Sequence, residues 1–484
     1  MKTNLISLTF LSIVTLLTTF SNNANAGQPG VECKIVFTNS GGGSVSQQVC
    51  WINYDGGGGG GGGSYTPPPG GGGGGTTTPT TPPAETSCAG NPVLIASGKK
   101  YQHSVDHTSS DGWLNIERFY SQTQDRTGML GSKWQTNFDL SLSIQKNSNG
   151  EATYATLHRE NGSNINLLYS ATTTNWHHLD GRVALFDFAS EAQLWIFQSD
   201  KGMTENYTLD GKISSQFNAQ RQGVFYHYQD NKLVQINSSN DKSLTITYNE
   251  QELIEEILVE GAKYQYSYSN NILASVTQAD GTNYQYHYED ERYNGALTSI
   301  DINNTNYARW QYDDQARAIF SEHAGGAERT EFTYHDNGST TVTNALGKET
   351  TYHFSTINGK KLPTFIEGHE SGACYAANKD YSYDVLGNQD KITDWQGNIT
   401  DFDFNSRGLL TQKTIAFGTD NAQTTSYQWH NQYPLPLSKT TDHTTTDYQY
   451  DENFRLIEKS ITANNTGEVR SWLYHYILHD NGSI

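Results

Sequence analysis

The stretch that decides the fold begins with three triplets, Tyr226-His227-Tyr228, Tyr266-Ser267-Tyr268 and Tyr286-His287-Tyr288. Each triplet holds one polar residue between two aromatic ones, and Thr247-Tyr248 is a weaker copy in phase with them. The closing tyrosines of these four copies follow one another every 20 residues, and later steps are 20 to 29 residues long. A fixed period of this size marks an array of supersecondary units. The further copies are Trp310-Gln311-Tyr312, Phe332-Thr333-Tyr334, Tyr352-His353-Phe354, Tyr381-Ser382-Tyr383, Phe402-Asp403-Phe404, Tyr427-Gln428-Trp429, Tyr448-Gln449-Tyr450 and Tyr474-His475-Tyr476.

Each unit has the same order of residue types. A short aromatic strand leads into an Asp/Asn/Gly turn, and a second short strand of Leu, Ile, Val or Thr follows, as in Tyr383-Asp384-Val385-Leu386-Gly387-Asn388-Gln389. Side chains alternate along a strand, so the aromatic residues share one face and the residue between them points to the other. One unit is too small to bury its apolar face, and neighbouring units must therefore stack into one sheet that curls as its twist accumulates.

Composition agrees with an all-β chain. Hydrophobic residues make up only 35% of the sequence, but the 46 glycines dilute that figure, and aromatic residues reach 12%, which is high for a disordered chain. The net charge of −20 excludes most nucleic-acid binders, because phosphate binding needs a basic footprint and the sequence has no Lys/Arg cluster. The acidic balance is typical of a soluble secreted surface.

The sequence predicts five regions. Residues 1–26 are typical of a secretory signal, with Lys2, an apolar stretch and a small-x-small cleavage site at Ala24-Asn25-Ala26, and no later segment is expected to span a membrane. Residues 27–54 are predicted to form a small hairpin, and residues 55–87 a flexible linker rich in Gly, Pro and Thr. Residues 88–223 form a β-rich domain, and residues 224–484 form the repeat array.

Four cysteines follow the signal, and an even number in an exported chain permits disulfides. Cys33 and Cys50 are the disulfide candidates, because they flank the predicted hairpin and the bond would close a short loop, worth about 3 kcal/mol. Cys88 and Cys374 either pair with each other or stay free, and all three pairings of the four residues remain open. The spacing contains no CxxC, so no zinc site is expected.

At these residues the chain resembles the RHS/YD-repeat family. The match lies in Tyr383-Asp384 with Gly387-Asn388 and in related turns through the array. The segment Arg118-Phe119-Tyr120-Ser121, with Leu130-Gly131-Ser132-Lys133-Trp134, resembles the domain of unknown function that commonly precedes those repeats. The residues that carry the repeat signature are Tyr228, Tyr268, Tyr288, Tyr334, Tyr383, Asp384, Gly387, Gly397, Gly408, Tyr450 and Asp451.

The resemblance implies a large hollow β-shell, wound as a spiral of hairpins, which in bacterial polymorphic toxins encloses a C-terminal toxic domain. Two departures from the family are visible. The Pro and Asp-Pro-x-Gly core motif that marks the boundary with the toxin is absent, and no toxin domain follows. The last residues, His479-Asp480-Asn481-Gly482-Ser483, repeat the turn His335-Asp336-Asn337-Gly338-Ser339. We therefore expect a truncated member that ends at the turn of a new unit.

No motif for catalysis or for a cofactor stands out. The sequence lacks Gly-x-Ser-x-Gly and a phosphate loop, and the repeat-borne His227, His287, His353 and His475 occupy the solvated middle position of their triplets. We expect no catalytic, cofactor-binding or metal-binding residue, and hence no enzyme.

The expected function is that of an exported structural protein at the cell surface or outside the cell. As a β-shell segment it would enclose or present a toxin or another polypeptide in interbacterial competition, and its partners would be that cargo or a downstream RHS segment. The alternative is a secreted carbohydrate-binding or adhesion protein, whose repeated tyrosines bind glycans instead of packing between hairpins. The two are separated by one expectation: Tyr228, Tyr268 and Tyr288 are largely buried, on adjacent strands, if the aromatic residues pack.

Overall fold

The computed structural model describes residues 31–40, 43–52, 88–200, 202–368 and 379–475, the first two ranges by their backbone alone. The chain divides into two units, Met1–Pro69 and Gly70–Ile484. Within the described residues there are 38 strands, one short 3-10 turn at Ala324–Gly326 and no α-helix. The predicted all-β class is confirmed.

The strands are as follows: β1 Val31–Ser40, β2 Gly43–Ile52, β3 Cys88–Ala89, β4 Val93–Leu94, β5 Tyr101–His107, β6 Ile116–Ser121, β7 Trp134–Thr136, β8 Ser141–Lys146, β9 Ala152–His158, β10 Asn164–Ser170, β11 Asn175–His178, β12 Val183–Ala189, β13 Leu194–Gln198, β14 Thr204–Tyr207, β15 Ile213–Phe217, β16 Gly223–Gln229, β17 Lys232–Ser238, β18 Ser243–Tyr248, β19 Ile254–Val259, β20 Ala262–Ser269, β21 Ile272–Thr277, β22 Asn283–His287, β23 Ser299–Ile302, β24 Thr305–Tyr312, β25 Ala318–His323, β26 Ala327–Tyr334, β27 Thr340–Thr343, β28 Glu349–Ile357, β29 Lys360–Gly368, β30 Lys379–Tyr383, β31 Gln389–Thr393, β32 Ile399–Phe404, β33 Leu410–Ile415, β34 Gln423–Trp429, β35 Pro436–Thr440, β36 Thr444–Tyr450, β37 Leu456–Ala463 and β38 Val469–Leu473.

The first unit contains one antiparallel hairpin, β1–β2, whose register sets Cys33 opposite Cys50. This is the hairpin that the sequence predicts. The disulfide between the two cysteines stays a prediction.

In the second unit, β8 to β38 form one open antiparallel sheet of 31 strands. Every strand pairs with its neighbours in the sequence, and among the described residues the first strand β8 has no ladder with the last strand β38. The predicted large curled sheet of repeated hairpins is thereby confirmed. The ladder runs without interruption through residue 223, where the sequence predicts a domain boundary, because β8 to β15 pair in the same way as the repeats that follow.

The turns of the sheet show how it curls. Leu142 N–H in β8 donates to the carbonyl of Gly211 at 2.8 Å, although six strands lie between them in the ladder. Much further along the chain, the Gln220 side chain donates to the Phe454 carbonyl at 2.6 Å, across 234 residues. Turns of one winding therefore contact turns of a later one, as in a spiral.

Nine hairpins share a β-bulge at the closing aromatic residue of the triplet. In β16–β17, for example, His227 pairs with Gln235 and Tyr228 with Leu233, which leaves Val234 as the extra residue. A bulge interrupts the ladder and increases the local twist. The same irregularity repeated once per hairpin therefore accounts for the steady curl of the sheet.

The closing aromatic residues also link one hairpin to the hairpin before it. Eight of them donate a side-chain hydrogen bond of 2.6–2.9 Å to a backbone carbonyl 14 to 20 residues upstream. Tyr248, for example, bonds the carbonyl of Leu233, the residue opposite Tyr228, and Tyr268 bonds that of Ile254, opposite Tyr248. The acceptor lies next to the bulge, where the ladder leaves backbone groups without their regular partners.

The expected placement of the tyrosines needs a correction. Tyr228, Tyr268 and Tyr288 pack against the core and are largely buried, as expected, but they do not lie on adjacent strands, because Tyr228 is in β16, Tyr268 is in β20 and Tyr288 follows β22. A unit of 20 residues is a whole hairpin of two strands, so equivalent positions cannot fall on adjacent strands.

Several predictions concern residues outside the described ranges. These are the signal peptide at 1–26, the linker at 55–87, Cys374, Tyr476 and the closing turn at 479–483. They stay predictions.

Candidate functional site: the aromatic face of the sheet

We call the side of the sheet that carries the first and third residue of each triplet the aromatic face. Trp310 and Tyr312 on this face are 2% and 3% exposed, whereas Gln311 between them is exposed. This alternation is the one that the sequence predicts. The opposite side, the outer face, is polar.

Residues 88–140, here the leading segment, lie against the upstream part of the aromatic face. Their small three-stranded sheet, β5 to β7, sets Trp134 in contact with Tyr286 at a ring distance of 4.8 Å, and Trp134 Nε1 donates to the Tyr288 hydroxyl at 2.8 Å. The Tyr120 hydroxyl donates to the carbonyl of Gly295 and accepts from Leu297 N–H. Apolar packing and tyrosine hydrogen bonds thus fix a polypeptide on this face.

A buried ion pair lies at the centre of that contact. Arg118 and Asp106 of the leading segment form two hydrogen bonds of 2.6 and 2.7 Å with side chains 1% and 0% exposed. The sheet completes the network: Tyr266 and Gln278 donate to Asp106 at 3.0 and 2.6 Å, and Arg118 Nη1 donates to the Tyr286 hydroxyl at 2.7 Å. Burial lowers the pKa of Arg118, but the Asp106 carboxylate outweighs burial, and the pKa lies well above its usual value.

The motif Leu130-Gly131-Ser132-Lys133-Trp134 of the leading segment needs a glycine at residue 131. Its φ is +84°, and a Cβ there would lie 2.4 Å from the carbonyl oxygen of Asn271 in the sheet. The next residue, Ser132, donates its N–H to that same carbonyl at 2.8 Å. A side chain at residue 131 would therefore push the leading segment away from the face.

The downstream part of the aromatic face, on β32 to β38, has no such cover within the part of the chain that the structure describes. In the described residues, no aromatic or aliphatic residue after Tyr381 belongs to the buried core apart from Pro436. The aromatic residues of the triplets continue here with the same spacing, the same bulges and the same hydrogen bonds, but they are only half-buried. They are Phe402, Phe404, Tyr427, Trp429, Tyr448 and Tyr450, and the half-buried Trp472 of β38, outside the triplets, lies on the same face.

Lysines replace apolar residues at one repeated position of this downstream part. The position is the one opposite the first aromatic residue of the triplet. Upstream it is apolar in six hairpins and serine in one: it holds Ile236, Val276, Ile300, Ser321, Val342, Ile366 and Ile392. In the last three hairpins it holds Lys413 opposite Phe402, Lys439 opposite Tyr427 and Lys459 opposite Tyr448. All three lysines are half-buried.

The two faces of β32 to β38 differ in charge. The register also places Arg470 on the aromatic face, opposite Ile461, so this face carries four cations. Among the described residues of these strands it carries no Asp or Glu. The acidic residues Asp401, Asp403, Asp447 and Glu458 all point to the outer face.

Among the described residues, no carboxylate forms an ion pair with any of the three lysines. Burial lowers the pKa of Lys439, and the charges of Lys459 and Lys413 lower it further. Burial also lowers the pKa of Lys459. Two of the lysines make cation–π contacts. Lys413 Nζ lies 5.8 Å from the centre of the Phe402 ring, and Lys459 Nζ lies 5.5 Å from the centre of the Trp472 ring.

The predicted repeat signature divides into two structural roles. The tyrosines lie on the aromatic face, and Tyr268, Tyr288, Tyr334, Tyr383 and Tyr450 form links between hairpins. The acidic and glycine positions form the turns: Asp384 Oδ1 accepts from the N–H groups of Leu386 and Asn388, and Asp451 repeats this with Asn453 and Arg455. Gly387, Gly397 and Gly408 take positive φ at the third turn position after the acidic or amide residue. None of these residues brings chemistry to a common site.

Sequence reasoning missed the row of lysines. Its signal is present in the sequence, because the lysine follows the first aromatic residue of its triplet by 11 or 12 positions, as Ile392 follows Tyr381. An alignment of the units would have shown that only the last three carry lysine. Sequence reasoning also did not identify Asp106 as the buried partner of Arg118, because no local sequence pattern marks it.

Other polar clusters of the described residues have structural explanations. Lys242, Ser110 and His107 converge on Glu260, whose pKa falls to about 2 through hydrogen bonds from Lys242 and Ser110, and they attach the leading segment to β18–β19. Glu260 raises the pKa of Lys242, so the amine stays protonated at neutral pH and is no base for Ser110. A cavity of about 1230 Å³ is lined by Arg309 and Arg329, both paired with Glu322.

Within the described ranges no cluster of His, Cys, Asp and Glu side chains has the arrangement of a metal site. The same residues include no helix long and apolar enough to span a membrane.

Comparison with known proteins adds one sequence match. A domain of unknown function, DUF6531, matches residues 90–167, which include both quoted segments of the leading segment. No protein with a curated description matches the chain.

Solved structures with a similar arrangement include TcdB2-TccC3 without its hypervariable C-terminal region and the Photorhabdus luminescens Tc holotoxin pore. The first is 10% identical over 80% of this chain and 22% of that chain, with a TM-score of 0.33. The second is 12% identical over 78% and 22%, with a TM-score of 0.34. A porin-like protein from Bacteroides uniformis is 13% identical over 48% and 90%, with a TM-score of 0.18. The chain thus spans about a fifth of the length of the first two, and TM-scores this low carry no functional argument.

Proposed function

We propose that this chain is an exported, non-enzymatic structural protein whose curled sheet holds or presents another polypeptide. The observation that carries the proposal is the aromatic face itself. Upstream, this face binds a polypeptide, the leading segment, through ring packing and tyrosine hydrogen bonds. Downstream, the same face continues on β32 to β38 with half-buried rings and no such cover among the described residues.

The size of the uncovered face supports a polypeptide as its ligand. Seven strands about 4.8 Å apart and about 20 Å long present about 600 Å² of sheet. One partner in a standard protein interface contributes about 800 Å². The resemblance to RHS/YD-repeat proteins makes a toxin in interbacterial competition the natural candidate, supplied by a further segment or a separate chain.

Site-specific crosslinking tests this proposal. A photoreactive phenylalanine analogue replaces Tyr448 on the aromatic face or, as the matched control, Gln449 on the outer face of the same strand. The full chain is produced together with the polypeptides encoded beside it. We expect the Tyr448 position, and not the Gln449 position, to crosslink to one defined polypeptide after irradiation. Equal crosslinking from both positions, or none from Tyr448, would refute the proposal.

Glycan binding is the second candidate, because the rings of Tyr427 and Trp429 are stacked at 6.1 Å, with 22° between their planes, on the same uncovered face as Thr425. A glycan array probed with the wild-type chain and with Trp429→Ala decides this candidate. Binding that the substitution abolishes would favour it, and an array without any binding would exclude it for the glycans presented.

A further inference from the structure

We propose that the downstream aromatic face receives an acidic segment of its polypeptide partner, with carboxylates that contact Lys413, Lys439 and Lys459. This inference rests on the proposed function and adds the chemistry of the partner. It starts from the replacement of apolar residues by lysine at the same position of three successive hairpins.

Packing alone does not explain the three lysines. The equivalent upstream position is apolar in six of seven hairpins and holds the uncharged Ser321 in the other, and an apolar side chain there would bury its surface with no cost of desolvation. A half-buried ammonium group loses hydration, and repulsion among the three lysines adds to that loss. The lowered pKa of Lys439 reflects both effects, and the lowered pKa of Lys459 reflects burial. A side chain that is unfavourable for the free sheet is expected where a bound ligand compensates its charge.

Charge complementarity gives the class of ligand. The aromatic face of β32 to β38 carries Lys413, Lys439, Lys459 and Arg470 without one acidic residue, in a chain whose net charge is −20. The acidic residues of the same strands point away to the outer face, so the asymmetry belongs to this face and not to the region. An acidic polypeptide is therefore attracted to the aromatic face and repelled from the rest of the surface.

The distance between the strands that carry the lysines sets the spacing of acidic residues in the bound segment. The lysines lie on β33, β35 and β37, and strands two apart in a sheet are about 9.6 Å from each other. An extended peptide that crosses the strands advances about 10 Å in three residues. A segment with an acidic residue at every third position therefore meets all three lysines, while aromatic or aliphatic residues between them contact the rings of the triplets.

Binding of labelled peptides to the purified full chain tests the inference. The probes are a twelve-residue peptide with glutamate at every third position, the same peptide with glutamine, and a twelve-nucleotide thymidine oligonucleotide, each followed by fluorescence anisotropy at low and moderate salt. We expect the glutamate peptide to bind more tightly than the other two. The triple variant K413Q/K439Q/K459Q should weaken its binding by about tenfold or more.

The matched control is the triple variant K263Q/K348Q/K391Q, which changes the net charge equally but at lysines outside this face. We expect it to bind the glutamate peptide within about twofold of the wild type, and thermal melting of both variants verifies folding. Equal binding of the glutamine peptide, tighter binding of the oligonucleotide, or an equal loss in both triple variants would overturn the inference. If Tyr448 still crosslinks to a polypeptide in that case, the proposed function stands and only the acidic chemistry fails.

Discussion

The two parts of the repeat array have the same local structure and different surroundings. Upstream, on β16 to β28, the aromatic face lies under the leading segment and forms one continuous core. Downstream, on β32 to β38, the hairpins keep the bulge, the turn and the tyrosine link, but the face is half-exposed and carries lysines. The difference teaches that the repeated triplets and turns are enough to specify the sheet. Whether the aromatic face is apolar and buried depends on whether another segment, such as the leading segment, lies against it.

The cations of the two parts make the contrast sharper. Arg118 upstream is completely buried, but Asp106 matches its charge and its Nη1 donates to the Tyr286 hydroxyl of the sheet. Lys439 downstream is half-buried, and other lysines are the charged groups that influence it most. The charge of Arg118 is thus compensated within the described residues, whereas no carboxylate among them forms an ion pair with Lys439.

The largest effect is expected for Arg118→Ala. It leaves the Asp106 carboxylate buried without its ion pair, which costs about 3–5 kcal/mol of the free energy of unfolding. Lys439→Ala, the matched change on the downstream face, should cost less than about 1 kcal/mol, because only part of its methylene stem is packed. Urea denaturation followed by tryptophan fluorescence measures both variants. A cost for Lys439→Ala as large as that for Arg118→Ala would break the distinction between the two parts.

A smaller effect is expected for the tyrosine links. The Tyr268 hydroxyl donates to the Ile254 carbonyl at 2.6 Å, and its ring packs against the core. Tyr268→Phe should therefore lower the free energy of unfolding by about 1–3 kcal/mol, because water cannot replace the lost donor there. Tyr383→Phe removes the 2.8 Å bond to the Pro363 carbonyl near the uncovered part, where water has access, and should cost about 0.5 kcal/mol. Burial raises the pKa of Tyr383 to about 12 and raises that of Tyr268 as well. Equal costs in urea denaturation would show that both parts exclude water alike.

The fold could be predicted from the sequence because its signals are local and repeated. The aromatic alternation of a triplet such as Trp310-Gln311-Tyr312 fixes which face is buried, and Asp384 with Gly387 fixes the turn. Twelve copies of such signals are enough to define a sheet.

The candidate site could be predicted only in part, because it depends on contacts between distant residues. No pattern near Arg118 indicates that Asp106 pairs with it. Nor does any pattern indicate that Arg118 Nη1 donates at 2.7 Å to the hydroxyl of Tyr286, a residue 168 positions later in the sequence. Which tyrosines are covered likewise depends on where the leading segment lies against the sheet. The lysine row was accessible to an alignment of the units, but its meaning needs the register that places Lys413, Lys439 and Lys459 on one face.

The smallest effect, opposite in sign, is expected for Lys439→Ile, which restores the upstream residue type. We expect the free energy of unfolding at pH 7 to rise by about 1 kcal/mol or less, because a half-buried apolar side chain replaces a charge that burial disfavours.

The pKa of Lys439 is lowered in the folded chain, so the unfolded chain binds more protons between that lowered pKa and the usual 10.5. Wild-type stability therefore rises with pH through this window. The advantage of Lys439→Ile should therefore shrink between pH 7 and pH 10.5, as measured by urea denaturation of both proteins at each pH. The variant should also lose affinity for the glutamate peptide while it gains stability. A variant that is less stable than the wild type at pH 7 would mean that the lysine already has a favourable environment in the free sheet, and the contrast between the two parts of the array would disappear at this position.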